Sequence, residues 1–135
     1  MVDVEDRVEI FFSCDEKLKE YYCLEVDPLG RVHDYAARYY RKFDSKWKCS
    51  GLRTASLITK AGYEVEGSIP LKTLDELGLP NLHSGSILIT GLFRAEFSRG
   101  EGSELEQHWI SWVDLSKHDP DFHIPEAFGC IRMVK

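Results

Sequence analysis

The sequence predicts an all-β domain, an antiparallel β-sandwich or barrel with one short helix. Six apolar runs, most of them rich in β-branched or aromatic residues, are separated by short turn signals. One convincing helical pattern occurs, and it is brief. The 135 residues, 43% hydrophobic and 12% aromatic, suit a single globular domain whose core needs neither a metal nor disulfides.

The clearest strand lies at 63–69, where Tyr63, Val65 and Ile69 alternate with Glu64 and Glu66. A period of two puts one row of side chains in the core and the other in water. We expect the acids to point to solvent, because a slip of one residue would bury both of them. Similar runs predict further strands at 8–12, 21–26, 52–59, 87–97 and 130–134.

Turn residues separate these strands and make neighbouring strands antiparallel. The segment 27–30 is typical of a β-turn, and the Lys-Ala-Gly segment at 60–62 of a hairpin loop. Pro70 opens the helix, leucines at 71, 74 and 77 follow at helical spacing, and Gly78 ends it. We expect this helix to close one end of a sheet.

Charge and cysteine content argue against several functional classes. A formal net charge of -6 disfavours nucleic acid as a partner. No apolar run approaches the ~20 residues of a membrane span, and the N-terminal stretch lacks the pattern of a signal peptide. The four cysteines form no CxxC pair, so free thiols are favoured and two disulfides stay open as the alternative. They are Cys14, Cys23, Cys49 and Cys130.

Enzyme signatures are missing from the chain. It contains no GxSxG, GxGxxG or Walker loop. Glu64 and Glu66 would lie about 7 Å apart on one strand face, a spacing that suits a glycosidase. Their alternation with Tyr63 and Val65 explains them fully as the wet face of a strand. We therefore expect no catalytic residues.

Several segments resemble, in order, the family 9 carbohydrate-binding modules and their relatives. Residues 6–11, DRVEIF, are similar to the family's DxVEIF strand, and 21–30 to the strand and turn that follow it. The hairpin GYEVEGSIP at 62–70 resembles GWxVEAAIP, and 92–94 its NxxR strand. Trp112 with FHIPEAFG at 122–129 resembles the closing SW and FHxPExFG segments. The resemblance extends over nearly the whole chain.

The resemblance implies a jelly-roll-like antiparallel sandwich that binds sugars without catalysis. Its ligands would be oligo- or polysaccharides of the glucan or xylan type. The domain would serve polysaccharide catabolism as a module attached to xylanases or other glycan-degrading enzymes, and it would be secreted or periplasmic. We expect no cofactor; calcium is known in the family, but no loop has the acidic spacing of an EF-hand. The loop 118–123, with His118, Asp119 and His123, is a Pro-stiffened turn for which we expect no metal.

The resemblance also implies a sugar site at Glu9, Arg94, Trp112, Phe122 and His123. A pyranose ring has an apolar face and a rim of hydroxyls, so its site needs an aromatic surface beside carboxylates or amides. Phe122 would be the aromatic platform and Glu9 a hydroxyl acceptor. The structural alternative for Glu9 is a strand residue that is either solvated or in an ion pair, for which Arg94 is the suggested partner. Trp109 and Trp112, three apart in a strand, should face opposite ways, one of them in the core.

Two departures from the family pattern set further expectations. In the family's xylanase module two tryptophan rings clamp a terminal sugar, and here Asp3 stands at the first of these positions and Phe122 at the second. Glu25 stands where that module has an arginine. Because only one of the two clamping positions is aromatic, we expect weak binding. Family members usually have strands ahead of the DxVEIF motif, so a shortened sandwich predicts an open edge at 8–12, paired in a homodimer or covered by a rearranged segment. The alternative function is a sandwich that has lost sugar binding and serves protein association.

Overall fold

The computed structural model describes residues 5–79, 82–99, 104–116 and 121–134. Within them lie nine strands, one short α-helix and one 3-10 turn at Pro125–Ala127. The strands are β1 Arg7–Ser13, β2 Tyr21–Val26, β3 Val32–Arg38, β4 Lys42–Asp44, β5 Arg53–Thr59, β6 Gly62–Ser68, β7 Ile87–Arg99, β8 Leu105–Ser111 and β9 Gly129–Arg132, and the helix is α1 Leu71–Glu76.

Seven strands form one antiparallel sheet in the order β4-β3-β2-β1-β7-β8, with β9 beside the first part of β7. The hairpin β5-β6 forms a second, two-stranded sheet that faces the large one. This arrangement confirms the antiparallel β-sandwich with one short helix.

The register of the large sheet sorts its side chains onto two faces. Glu9 lies opposite Glu25 of β2 and Phe93 of β7, so these three share a face, which we call the site face. The opposite face looks toward the hairpin and is the hairpin face. The core of the site face is aromatic, and the segment 121–128 covers it. The core of the hairpin face is rich in leucine and includes Leu74 of α1.

The period-two prediction at 63–69 is confirmed. Tyr63, Val65 and Ile69 are half-buried, whereas Glu64 and Glu66 are exposed. The hairpin loop and the short helix also lie where their turn and capping residues placed them. The four cysteines are unpaired. Within the described ranges, no helix has the length and apolar character needed to cross a membrane.

Three strands were not predicted: β3, β4 and β8. β3 carries two polar residues, half-buried His33 and buried Asp34, and β8 is an exposed edge in which polar residues interrupt the apolar ones. The expected open edge at 8–12 was wrong, because β1 pairs with β2 on one side and β7 on the other. Among the described strands, the edges of the large sheet are β4 on one side and β8 and β9, which follow each other along β7, on the other.

Candidate functional site

A cavity of about 170 Å³ opens on the site face. A water molecule takes up about 30 Å³ in the liquid, so this space holds roughly six waters or a similar volume of a small polar ligand. Its walls combine charged and aromatic side chains from β1, β2, β8, the β3-β4 connection and the segment 121–128. They are Arg7, Glu9, Glu25, Arg41, Trp109, Asp121, Phe122 and His123.

Three of these side chains form a buried charge cluster. Arg7, Glu9 and Glu25 are 5%, 4% and 5% exposed. The strand register creates the cluster, because Glu9 lies opposite Glu25 and Arg7 stands two residues before Glu9. Arg7 Nε donates a 2.8 Å hydrogen bond to Glu9 Oε1 and lies 2.9 Å from Glu25 Oε2. Burying such charges is costly, and this cost marks the cluster as a candidate functional site.

The buried cluster changes how Glu9 titrates. Burial and the charge of Glu25, partly opposed by Arg7, together raise the pKa of Glu9 from its ordinary value of 4.5 to about 7. Glu25 has a further partner in Tyr35, whose hydroxyl donates a 2.9 Å hydrogen bond to Oε1. One proton can therefore enter or leave the cluster near neutral pH.

Two aromatic side chains form the next wall, and they differ in exposure. Phe122 is 7% exposed and stacks on Phe93 with ring centres 4.0 Å apart and planes 9° from parallel. Trp109 is 39% exposed, with its ring edge-on to Phe122 at 5.7 Å and the Arg7 guanidinium 5.3 Å from its centre. Trp109, more than Phe122, offers aromatic surface to a ligand.

Asp121 lines the remaining side of the cavity and bonds to residues of the β3-β4 connection. Its carboxylate accepts hydrogen bonds from Arg41 Nη1 at 2.9 Å, from the Tyr40 hydroxyl and from the backbone N–H of His123. Burial acts to raise the pKa of Asp121, but the Tyr40 and His123 hydrogen bonds and the Arg41 charge outweigh it and lower the pKa. The side chain is a fixed anion that orients Arg41 at the cavity.

His123 is a neutral member of the site. Burial and, to a smaller extent, the charge of Arg41 together lower the pKa of His123 from 6.5 to about 4 against the opposing effect of Asp121. Its Nδ1 lies 3.0 Å from the Tyr21 hydroxyl, and its ring stacks on Phe11 at 5.3 Å. At neutral pH the imidazole serves as an uncharged hydrogen-bonding group.

The structure brings together three of the five residues predicted from the family resemblance. Glu9, Phe122 and His123 line the cavity together. Arg94 lies on the hairpin face, 4.3 Å from the ring centre of Tyr63, and pairs with Glu96. The suggested ion pair between Glu9 and Arg94 was wrong, because adjacent residues of β7 face opposite ways and Glu9 lies opposite Phe93.

Trp112 also lies outside the cavity. Its backbone N–H donates to the carbonyl of Leu92, and its ring packs so closely on Gly129 that a side chain there would collide with it. Trp109 and Trp112 are 39% and 42% exposed, so the expectation that one of them is core was wrong. Asp3, His118 and Asp119 lie outside the described residues.

Three residues of the cavity were not predicted from the sequence: Arg7, Arg41 and Asp121. Arg7 had a detectable signal, since it precedes Glu9 by two residues in a strand and must share its face. Arg41 and Asp121 meet only through the tertiary packing of two segments 80 residues apart. Among the described residues, no three His, Cys, Asp or Glu side chains are arranged to hold a metal ion.

A family comparison decides which class of domain carries this site. The model of the carbohydrate family 9 binding domain-like proteins matches residues 4–135. The chain belongs to this family. No curated protein is significantly similar to the chain in sequence.

A solved structure of a candidate carbohydrate-binding protein from Bacteroides uniformis shares the fold of this family 9-like domain, with a TM-score of 0.66 and 18% identity. The match covers 97% of this chain and 62% of that one. The family supports carbohydrate binding as the general class of function, and the solved structure supports the fold.

Replacing Glu9 with glutamine should change how stability depends on pH. Between pH 4.5 and about 7 the folded chain holds a proton on Glu9 that the unfolded chain has lost, so the contribution of Glu9 to the free energy of unfolding falls as pH rises. The free energy of unfolding of the wild type minus that of Glu9→Gln should therefore fall by about 1.4 kcal/mol per pH unit over this range, roughly 3 kcal/mol in all. Urea unfolding from pH 4.5 to 8 measures it.

The titration of His123 changes the stability of the fold with pH in the opposite direction to that of Glu9 over much of this range. Its pKa is lowered to about 4, so the unfolded chain binds the extra proton and stability falls as pH drops from 6.5 toward 4. In Glu9→Gln the rise of stability with pH that His123 causes should become visible. Glu64→Gln, at an exposed position, should show the same pH dependence of stability as the wild type. If the free energies of unfolding of the wild type and Glu9→Gln changed in parallel with pH, this would contradict the buried state of Glu9.

Proposed function

We propose that the cavity on the site face binds one sugar unit of an oligo- or polysaccharide, without catalysis and without a metal. Trp109 supplies the surface for the apolar face of the ring. Glu9, Glu25, Arg41 and neutral His123 supply hydrogen bonds to its hydroxyls. The ligand class is a neutral glycan of the glucan or xylan type, as the family resemblance implies.

One observation carries this proposal: a buried pair of carboxylates lies beside a half-exposed indole at an open cavity. Glu9 and Glu25 share Arg7 and still retain acceptor capacity, because each carboxylate has about four lone-pair positions. A ligand rich in hydroxyl donors satisfies such acceptors, and its C–H face packs on Trp109. Stability alone gives no reason to bury these charges, since apolar residues would pack there at lower cost.

The expected affinity is weak. One aromatic surface contributes ~1 kcal/mol beyond area burial, and each exchanged hydroxyl hydrogen bond contributes ~1 kcal/mol. After the cost of association, the dissociation constant should be on the order of 0.1 to 10 mM. Affinity in this range suits a module that keeps a glycan-degrading enzyme near its polymer, and we propose that context, including attachment to xylanase-type enzymes, for this domain.

A matched pair of tryptophan variants tests the location of the site. Trp109→Ala should weaken binding of glucose, xylose and their oligosaccharides at least tenfold in calorimetric or NMR titrations, because it removes the stacking surface. Trp112→Ala removes a ring of nearly equal exposure outside the cavity and should leave affinity unchanged. Loss of binding in Trp112→Ala with full binding in Trp109→Ala would move the site away from the cavity.

Protein association is the second candidate function, and an apolar groove favours it. A space of about 550 Å³ lies between the hairpin and the large sheet, lined by side chains such as Ile10, Leu24, Val65 and Leu92. Exposed Leu57 and Ile58 lie on the same hairpin. A homodimer through an exposed strand edge stays a prediction. Light scattering at micromolar to millimolar protein tests it, and a monomer throughout would remove it.

A further inference from the structure

Three aromatic rings stand exposed on one small segment beside the cavity. Tyr39 and Tyr40, in the β3-β4 connection, and Phe43, in β4, are 51%, 49% and 47% exposed. The two tyrosine rings lie 5.4 Å apart, and the Arg41 guanidinium lies within 6 Å of both Tyr40 and Phe43. We call Tyr39, Tyr40, Arg41 and Phe43 the aromatic ridge.

The aromatic ridge is continuous with the cavity. Arg41 belongs to both, and its partner Asp121 also accepts a hydrogen bond from the Tyr40 hydroxyl. The Phe43 ring lies 5.0 Å from the ring of His123, which lines the cavity. A molecule that fills the cavity and extends past Arg41 therefore meets Tyr40 and Phe43 next.

The ridge and Trp109 lie on opposite edges of the large sheet. Phe43 is in β4 and Trp109 in β8, five inter-strand spacings apart, which is roughly 24 Å along a flat sheet and less along a twisted one. One sugar ring is too small to contact both aromatic surfaces. A chain of several sugar units can contact both, with the charged cavity between them.

We propose that the aromatic ridge is a second sugar subsite, so that the domain binds a glycan chain of several units across the sheet and not only a single terminal sugar. This inference rests on the proposed function of the cavity. The occupant is the continuing chain of the same glycan, because half-exposed tyrosine rings with a hydroxyl and a neighbouring guanidinium suit a ligand with apolar faces and polar edges.

Affinity as a function of chain length tests this inference. Calorimetry or NMR titration with glucose against cellotetraose, and xylose against xylotetraose, should give a tetrasaccharide affinity at least tenfold above that of the monosaccharide. Tyr40→Ala should lower that ratio roughly three- to tenfold, the loss expected for one stacking surface. Phe43→Ala should lower it as well, and Tyr40→Phe, which keeps the ring, should retain it.

Both affinities are measured on the same variant, so a general loss of stability affects them equally and cancels in the ratio of tetrasaccharide to monosaccharide affinity. Tetrasaccharide and monosaccharide of equal affinity in the wild type, or an unchanged ratio in both Tyr40→Ala and Phe43→Ala, would overturn the second subsite and leave the cavity proposal intact. No binding of any of the four sugars at millimolar concentration would overturn both. An oligomer that Tyr40→Ala dissolves would make the ridge a contact between chains and also overturn the subsite.

Discussion

Replacing Phe122 with alanine should lower the free energy of unfolding by about 3 to 5 kcal/mol. Phe122 is 7% exposed and stacked face to face on Phe93, so its removal leaves a cavity between the large sheet and the segment 121–128. Urea unfolding followed by fluorescence measures the loss. The slope of the transition should stay near the wild-type value, because the folded state remains compact.

Phe43→Ala is the matched control, since it removes the same side chain from a position that is 47% exposed. It should cost about 1 kcal/mol. An unchanged stability in Phe122→Ala would place the ring at the surface and restore the stacking platform that the family resemblance predicted. With the ring buried, any loss of sugar binding in Phe122→Ala would reflect a disturbed cavity wall and not a lost contact.

Replacing Arg7 with leucine should lower the free energy of unfolding by about 3 to 5 kcal/mol at pH 8. Arg7 is the cation that lies between Glu9 and Glu25, and its loss leaves two buried carboxylates with no positive partner between them. The loss should shrink as pH falls toward 5, because protonation then removes the buried negative charge. Unfolding of wild type and variant across this range measures both effects.

Two further variants separate charge from packing at this position. The triple variant Arg7→Leu, Glu9→Gln, Glu25→Gln carries no charge in the cluster and should recover much of the lost stability while losing sugar affinity. Arg94→Leu removes an arginine from a pair on the hairpin face whose side chains are 34% and 41% exposed, and it should cost 1 kcal/mol or less. Equal costs for Arg7→Leu and Arg94→Leu would refute the buried cluster.

Several features of this domain follow from local sequence alone. Alternation at 63–69 settles which side chains of β6 face solvent, because successive residues of any strand point to opposite sides. Pro70 and Gly78 bracket the short helix, and the hairpin loop joins β5 to β6. The ordered motifs also point to the family, and with it to Glu9 as a site residue.

The assignment of the other site residues required the tertiary structure. The sequence places Phe122 beside a turn, but only its packing on Phe93 shows that it is buried. The alternation within β7 shows that Phe93 and Arg94 face opposite ways, but not which of them shares a face with Glu9. That depends on the register between β1 and β7, in which Glu9 pairs with Phe93, 84 residues further along the chain.

Sequence by itself thus determined the antiparallel sandwich, the orientation of β6, the helix and the carbohydrate-binding family. Only the tertiary structure decided that Arg7, Glu9 and Glu25 form one buried cluster, that Trp109 faces the cavity and that Arg94 does not. The physical reason is the range of the interactions. Side-chain alternation and turn chemistry act within a few residues, whereas a binding site is assembled by strand register and loop packing between distant segments.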